Sequence, residues 1–327
     1  MNSRGAMRRS DPSGPGIHRI PVGRTGTFRY EADRGSEVVD DSTLDRIQEL
    51  AIPPAWTDVW ICDDALGHIQ AVGRDAAERL QYLYHEEWRR RRDEAKFDRA
   101  LELAAALPHA RRSVTRDLSR DGFEPRRALA AAFRIMDFTA VRVGNEEYLR
   151  RYGSRGVTTM RCRDLVIESS SVIFEFPSKG GLRWSSSLND PLLTRYFREI
   201  VDQRGPSARA VAWRDSKWHA VTTAEVNDYV HRRTGTEATA KDFRTLRGTT
   251  TAAEFLARAG TPATSKDAES TIRSAIKACA DLLGNTPAVA RTSYIDPRIF
   301  DLYRSGEVLS LRGSSLSSLC SLLAPQA

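Results

Sequence analysis

The stretch LVIESSSVIFEFPSKGGLRWSSSL, residues 165–188, is the part of the sequence that most clearly defines the fold. Apolar and polar residues alternate in it with the period of two that is typical of β-strands. Polar or glycine-containing turns separate three such runs, 165–168, 172–176 and 182–185. The stretch therefore predicts a three-stranded meander.

Around this meander the apolar residues recur at helical spacing. A charged run with Ala and Leu predicts a helix over 88–107, and the next predicts one long helix over 126–152. Further helices are predicted over 223–233, 241–259 and 267–283. This half of the chain is therefore expected to be mainly α-helical.

The preceding residues have a different character, with short runs between turn signals. The runs 28–30, 58–62 and 68–72 read as strands, and a short helix opens at Asp41. These features predict a small α+β module over residues 17–88.

The change of character near residues 86–95 marks the predicted boundary between two modules. The second module is expected to cover residues 89–327. Residues 1–16 are small, polar and rich in Gly and Pro, and they are predicted to be a disordered tail.

Composition limits the classes of function that fit this chain. With 327 residues, 40% hydrophobic, the chain can bury a substantial core, and its net charge of +7 fits a polyanionic partner. The four cysteines form no CxxC pair, and no HExxH motif or phosphate-binding loop is present. No apolar run approaches the ~20 residues of a membrane span. We therefore expect a cytoplasmic protein without metal or nucleotide cofactor.

The segment GNTPAVARTSY, residues 284–294, places a tyrosine in a short helix. Gly284 is suited to end one helix, while Thr286 and Pro287 are suited to begin the next. Tyr294 would then lie about two turns into it. A phenol has a pKa near 10, so a nucleophilic role requires nearby cations. A half-buried core tyrosine is the alternative.

Two arginines are candidates for those cations. Arg142 could instead pair with Glu146 on a helix surface for about 0.2–0.5 kcal/mol. Gly144 argues for a special role, since glycine costs about 1 kcal/mol inside a helix and permits close approach of a group such as a phosphate. Arg244 could pair with Asp242 or Glu254, or its fork could bind two phosphate oxygens.

Lys179 and Asn285 complete the candidate set. Only six of the 50 basic residues are lysines, and Lys179 occupies the turn between the second and third strands of the meander. It is either a solvated turn residue or a mobile general acid. Asn285 is either a helix-ending residue or a hydrogen-bond donor to a phosphate oxygen. Spacing alone does not bring these residues together.

Read in order, these segments resemble the type IB DNA topoisomerases, in particular the small poxvirus-like bacterial branch. The resemblance extends over about residues 17–305. The matching segments are 52–56, 67–70, 73–85, 142–148, 152–159, 178–180, 241–245 and 284–294.

The resemblance implies an α+β fold with a small N-terminal antiparallel β-sheet domain that clamps DNA and a larger, mainly helical catalytic domain. It implies that Tyr294 attacks a phosphate to give a 3′-phosphotyrosyl link. Arg142 and Arg244 would stabilise the transition state and Lys179 would be the general acid. Asn285 stands where viral and eukaryotic relatives carry histidine.

By the same analogy Gln81, Tyr82 and Tyr84 would contact DNA from the first domain, and Gly144 and Tyr148 from the second. A lysine commonly precedes the Gln-Tyr pair in the family, but Leu80 holds that position here. The implied partner is double-stranded, preferably supercoiled DNA, bound by a monomer associated with the nucleoid.

Two other functions fit parts of the pattern. A site-specific tyrosine recombinase uses a similar Arg–Lys–Arg–Tyr set, but it usually has a histidine where Lys241 stands. A DNA-binding protein with a dead active site is disfavoured, because all five candidate side chains are present.

Overall fold

The computed structural model of the protein describes residues 6–23, 26–33 and 35–324. Within these ranges, no helix is both long enough and apolar enough to cross a lipid bilayer. The same described residues contain no cluster of three or more His, Cys, Asp or Glu side chains that could hold a metal ion.

The chain divides into two compact units, Met1–Glu94 and Ala95–Ala327. The division lies inside the stretch 86–95 where the sequence changes character.

A five-stranded antiparallel sheet forms most of the first unit. Its strands are β1 (Ile17–Val22), β2 (Thr27–Ala32), β3 (Thr57–Ile61), β4 (Ile69–Arg74) and β5 (Leu80–Tyr84). They are ordered β2-β1-β3-β4-β5 in the sheet. Helix α1 (Asp41–Glu49) begins after Asp40, whose side chain accepts a hydrogen bond from the Thr43 amide. Apolar side chains of α1 and the sheet form the core of this unit.

The predictions of β2, β3, β4 and α1 are confirmed, whereas β1 and β5 were not identified from the sequence. Strand β1 contains Pro21, and a proline inside a run argues against a strand. Beyond its first two residues, β1 pairs only with β2, which leaves an edge on which Pro21 is tolerated. Strand β5 is at the end of the sheet and has no fully buried residue, so its sequence lacks the alternation of a half-buried strand.

Residues 8–16 are bound to the first unit, unlike the disordered tail predicted for them. The Arg8 amide donates to the Leu66 carbonyl over 3.0 Å, and the Ser10 hydroxyl donates to the Ile69 carbonyl over 2.9 Å. The indole of Trp60 donates to the Gly14 carbonyl over 3.2 Å. Composition does not reveal such backbone contacts. Residues 1–5 of the predicted tail lie outside the described residues.

Helices dominate the second unit. They are α2 (Glu86–Leu118), which begins before the division, α3 (Pro125–Thr139), α4 (Glu146–Tyr152), α5 (Pro191–Gln203), α6 (Thr223–Thr234), α7 (Ala240–Ala259), α8 (Ser265–Leu283), α9 (Pro287–Ser293), α10 (Arg298–Arg304) and α11 (Ser315–Leu323).

The predicted meander is confirmed as an antiparallel sheet of three strands. These are β6 (Leu165–Ile167), β7 (Ser171–Pro177) and β8 (Arg183–Asn189). Pro177 faces Arg183 in the last pair of the β7–β8 ladder, which leaves residues 178–182 as the turn. A small hairpin of β9 (Ala212–Arg214) and β10 (Trp218–Ala220) was not predicted from the sequence.

Aromatic packing fixes the elements that carry the candidate residues. Phe133 of α3 contacts Phe243 of α7 edge to face, with ring centroids 5.1 Å apart. Phe174 of β7 meets Phe197 of α5 at 5.7 Å. All four rings are at most 2% exposed. Because interiors are close-packed, α7 and the meander are held firmly in the same core.

The prediction of one long helix over 126–152 is wrong, because α3 ends at Thr139 and α4 begins only at Glu146. Ala140 has a left-handed backbone with φ 52°, and Gly144 has φ 100°. The carbonyls of Arg142 and Val143 accept hydrogen bonds from the amides at 157 and 158, over 2.9 and 2.7 Å. These distant bonds replace helical ones, and local periodicity does not detect them.

Candidate active site

Helix α9 positions Tyr294. The Thr286 hydroxyl accepts a hydrogen bond from the Val289 amide, and Pro287 begins the helix, as the sequence predicts. Tyr294 follows the last residue of α9, and its amide donates to the Ala290 carbonyl over 3.0 Å. The tyrosine therefore lies at the C-terminal end of a two-turn helix.

Helix α7 holds the backbone of Tyr294 at close range. A Cβ atom on Gly248 would lie 2.5 Å from the Tyr294 carbonyl oxygen and 3.1 Å from its Cβ atom. The hydroxyl of Thr249 donates to the same carbonyl over 3.3 Å and accepts from the Asp296 amide over 3.0 Å. Neither Gly248 nor Thr249 was predicted from the sequence to lie at the site, although a glycine inside a predicted helix is also what marked Gly144 as unusual.

Arg244 lies next to the phenol and is only 3% exposed. Its guanidinium carbon is 4.9 Å from the centroid of the Tyr294 ring. Two of its nitrogens donate to the carbonyls of Ala140 and Leu283, over 2.6 and 2.8 Å. Its Nε atom is buried and has no partner among the described residues. Backbone carbonyls thus hold the charge of Arg244 in place, while its Nε–H is not used by them.

Neither acid considered for Arg244 is its partner. The Asp242 carboxylate accepts from the amide and hydroxyl of Thr239, both over 2.8 Å, and so caps α7. Glu254 pairs with Arg258 one turn along the same helix. Arg244 is therefore a buried cation without a bound carboxylate in the described part of the chain.

Arg142 reaches the site from the break between α3 and α4. Its Nη2 atom donates to the Oδ1 atom of Asn285 over 2.7 Å. Glu146, its predicted alternative partner, instead accepts from Arg209 over 2.7 Å. The Nδ2 atom of Asn285 is buried and has no partner in the described structure. Arg142 therefore orients the Asn285 amide so that its acceptor is used and its donor remains available.

These cations alter the acidity of the phenol. Burial by itself raises the pKa of Tyr294, since the anion is disfavoured away from water. Arg244, and then Arg142 and Lys241, outweigh burial and hold the pKa below its ordinary value near 10. Burial and the neighbouring Arg244 likewise lower the pKa of Arg142. The arrangement favours a phenolate, as a tyrosine nucleophile requires.

Lys179 lies on the turn between β7 and β8. Gly180 and Gly181 follow it with φ 80° and 75°, values that favour glycine. Its ammonium nitrogen is 6.0 Å from the centroid of the Tyr148 ring. One pocket of about 280 Å³ is lined by Lys179 together with Arg142, Arg244 and Tyr294. The same pocket is also lined by Arg155 and Lys241, which were not predicted from the sequence as site residues.

The residues expected to contact DNA are placed as follows. Gln81, Tyr82 and Tyr84 lie on β5 of the first unit, where the two tyrosine rings stack with centroids 6.0 Å apart. In the second unit, Tyr148 is 40% exposed and lines the pocket. Gly144 also lines the pocket. Contacts within the protein already account for a glycine at this position, because a Cβ atom there would lie 2.8 and 2.9 Å from two threonine hydroxyls.

Comparison with known proteins identifies the family. The model of the family described as "Eukaryotic DNA topoisomerase I, catalytic core" matches residues 85–301. The model described as "Bacterial DNA topoisomerase IB, N-terminal domain" matches residues 27–75. The "DNA topoisomerase 1B" of Acanthamoeba polyphaga mimivirus is 28% identical over 297 residues, which cover 89% of this chain and 88% of the relative. The chain belongs to the type IB DNA topoisomerase family.

Proposed function

We propose that this protein relaxes supercoiled duplex DNA by cutting one strand, letting it swivel about the other, and rejoining it. The observation that supports this most strongly is the half-buried phenol of Tyr294 beside the guanidinium of Arg244, with Arg142 in the same pocket. A phenolate surrounded by cations is suited to attack a phosphodiester.

In the proposed reaction Tyr294 is the nucleophile. Its phenolate oxygen bonds to a backbone phosphorus while the bond from phosphorus to the 5′ oxygen breaks. The products are a 3′-phosphotyrosyl link and a 5′ hydroxyl, so the leaving oxygen must gain one proton. Lys179 supplies it as general acid and recovers it when the 5′ hydroxyl attacks in the reverse step.

The remaining side chains stabilise the charge that develops on the phosphate. Arg142 and Arg244 supply two positive charges, and a buried Arg244 Nε–H is free to donate. The free Nδ2 of Asn285 provides a donor that needs no protonation. Donors that are already in place when charge develops contribute more than donors that must reorient.

The energetics fit a reaction without a nucleotide. One phosphodiester is exchanged for another, so its bond energy is retained in the tyrosyl link and religation needs no further input. The substrate is DNA, as the family implies, and we propose that a monomer acts preferentially on supercoiled duplex in the nucleoid. We expect activity without ATP or added magnesium.

Plasmid relaxation tests this function against the recombinase alternative. A supercoiled plasmid of arbitrary sequence is incubated with the protein, EDTA and no ATP. We expect a ladder of relaxed topoisomers, whereas a recombinase would be inactive without its cognate site. Tyr294→Phe should abolish relaxation and retain DNA binding, while Tyr303→Phe, the next tyrosine along the chain, should remain active. A Tyr294→Phe protein that relaxes plasmid would refute the proposed nucleophile.

A further inference from the structure

The side chain of Lys179 is held only weakly. In the described part of the chain it makes no hydrogen bond or ion pair, and its nearest recorded partner is the Tyr148 ring at 6.0 Å. The two glycines that follow it add backbone freedom at the tip of the turn. The position of this ammonium group therefore depends on how the base of the β7–β8 hairpin is fixed.

Two residues that follow α4 fix the base of that hairpin. The amide of Arg155 donates to the Pro177 carbonyl over 2.8 Å. The hydroxyl of Ser154 donates to the Ser178 carbonyl over 3.2 Å. These bonds reach the two residues directly before Lys179, and both donors belong to residues that line the pocket.

The side chain of Arg155 anchors this segment to the sheet itself. Its Nη1 atom donates to the Asp164 Oδ1 atom over 2.6 Å, and the two side chains are only 12% and 5% exposed. The second carboxylate oxygen accepts from the Arg161 amide over 2.8 Å. Asp164 directly precedes β6, the strand that pairs with β7. The pair thus joins the segment at 154–155 to the sheet that bears Lys179.

The two side chains of this ion pair are at most 12% exposed, so its loss should have a larger effect than that of a surface pair. Removing one member of a buried pair leaves the other charged and without its partner. Burial lowers the pKa of Arg155, with Asp164 opposing that change. Loss of the pair would remove the side-chain contact that anchors the segment whose amide donates to Pro177.

We propose that Arg155 is a positioning residue for the general acid, acting through Asp164 and the hairpin base to place the Lys179 ammonium near the leaving 5′ oxygen. This rests on the role proposed above for Lys179. The competing role is direct contact with a DNA phosphate, because the Nε atom of Arg155 is buried without a partner among the described residues.

The leaving group distinguishes the two roles. A 5′-thiolate is a weak base that departs without a proton, so misplacement of a general acid does not slow its departure. Single-turnover cleavage is measured on matched duplexes with 5′-oxygen or 5′-sulfur at the scissile bond. We expect Arg155→Ala to slow cleavage of the oxygen substrate by about 10- to 100-fold and to leave the sulfur substrate within about twofold of wild type.

Further variants test the route of the effect. Lys179→Ala should show the same pattern, and Arg155→Ala combined with Lys179→Ala should be no slower than Lys179→Ala alone. Arg155→Lys should recover part of the rate, because an ammonium group can still pair with Asp164. Arg183→Ala is the control, since it removes an exposed ion pair with Glu175 on the same hairpin and should behave as wild type.

Different outcomes would refute the general-acid role of Lys179 and the positioning role of Arg155. If Lys179→Ala is equally slow on both substrates, the general-acid assignment fails. If Lys179→Ala is rescued by sulfur and Arg155→Ala is not, or if Arg155→Ala has no defect, the positioning role is refuted. Thermal unfolding is measured for every variant, and Asp164→Asn, which keeps the side-chain shape, replaces Arg155→Ala if that variant does not fold.

Discussion

At the scale of single residues, the site is set apart by two arginines that have no carboxylate partner among the described residues. Arg244 is held by two backbone carbonyls and Arg142 by an amide oxygen. Because no carboxylate of the described structure compensates either charge, both arginines are available to the phenol and to the phosphate. This explains why the half-buried Tyr294 has a lowered rather than a raised pKa.

Lys241 provides a test of this effect, because it lowers the pKa of Tyr294 and is itself exposed. Removing a cation makes the phenolate less favourable, so Lys241→Ala should raise the pKa of Tyr294. We expect the profile of single-turnover cleavage rate against pH to move to higher pH. Lys277→Ala, which alters an exposed ion pair on α8, is the control and should leave the profile in place.

Asn285 allows the hydrogen-bond donor to be tested separately. Asn285→Asp keeps the shape and an acceptor for Arg142, but removes the Nδ2 donor and adds a negative charge. We expect cleavage to slow by about 10²–10³-fold, the usual effect of losing one such donor. Asn285→His restores a donor and should recover much of the rate, as measured by adduct formation. Full activity of the aspartate variant would refute the role proposed for the amide.

At the scale of elements, the packing of α7 against the end of α9, which carries the proposed nucleophile Tyr294, matters most. One helix carries Lys241, Arg244 and Gly248, so the cations and the tyrosine backbone share one rigid support. Thr249 links the carbonyl of Tyr294 to the amide of Asp296. The distance between phenol and guanidinium is therefore set by helix packing.

Gly248→Ala should disturb this contact, since its Cβ atom would lie 2.5 Å from the Tyr294 carbonyl oxygen. Overpacking of this kind costs about 1–3 kcal/mol, and the displaced tyrosine should cleave more slowly by at least about tenfold. Thermal unfolding and the rate of adduct formation measure the two effects. Gly205→Ala, with open space around its Cβ position, is the control. An unchanged cleavage rate for Gly248→Ala would contradict the proposed support.

Elements with a clear period were predictable, and those fixed by distant contacts were not. The meander follows from local patterns in the sequence. So do helix α7, which carries Arg244, and helix α8, which ends shortly before Asn285. The break at 140–145 does not follow from such patterns, because Arg142 and Val143 are acceptable helix residues. Their carbonyls instead accept hydrogen bonds from amides 15 positions further along the chain. Gly144 was the strongest local indication that this stretch is unusual. A glycine is needed there because a side chain would collide with Thr158 and Thr159 of the segment that pairs with the break.

At the scale of the whole molecule, the proposed catalytic residues come from segments widely separated in the chain. Arg142, Lys179, Arg244 and Tyr294 line one pocket although more than 150 positions separate the first from the last. From its local sequence, each of these residues also had an alternative role. Only the resemblance to a family predicted that the four side chains lie together. The net charge of +7 agrees with a polyanionic substrate but does not select one.

The central claim is that the Tyr294 oxygen forms a covalent bond with DNA. The direct measurement traps the protein on a labelled duplex with denaturant, digests the adduct with protease and identifies the linked residue by mass spectrometry. We predict one adduct per cleaved strand, with Tyr294 joined to a 3′ phosphate and a free 5′ hydroxyl on the other fragment. Attachment at any other residue, or at a 5′ phosphate, would contradict this account.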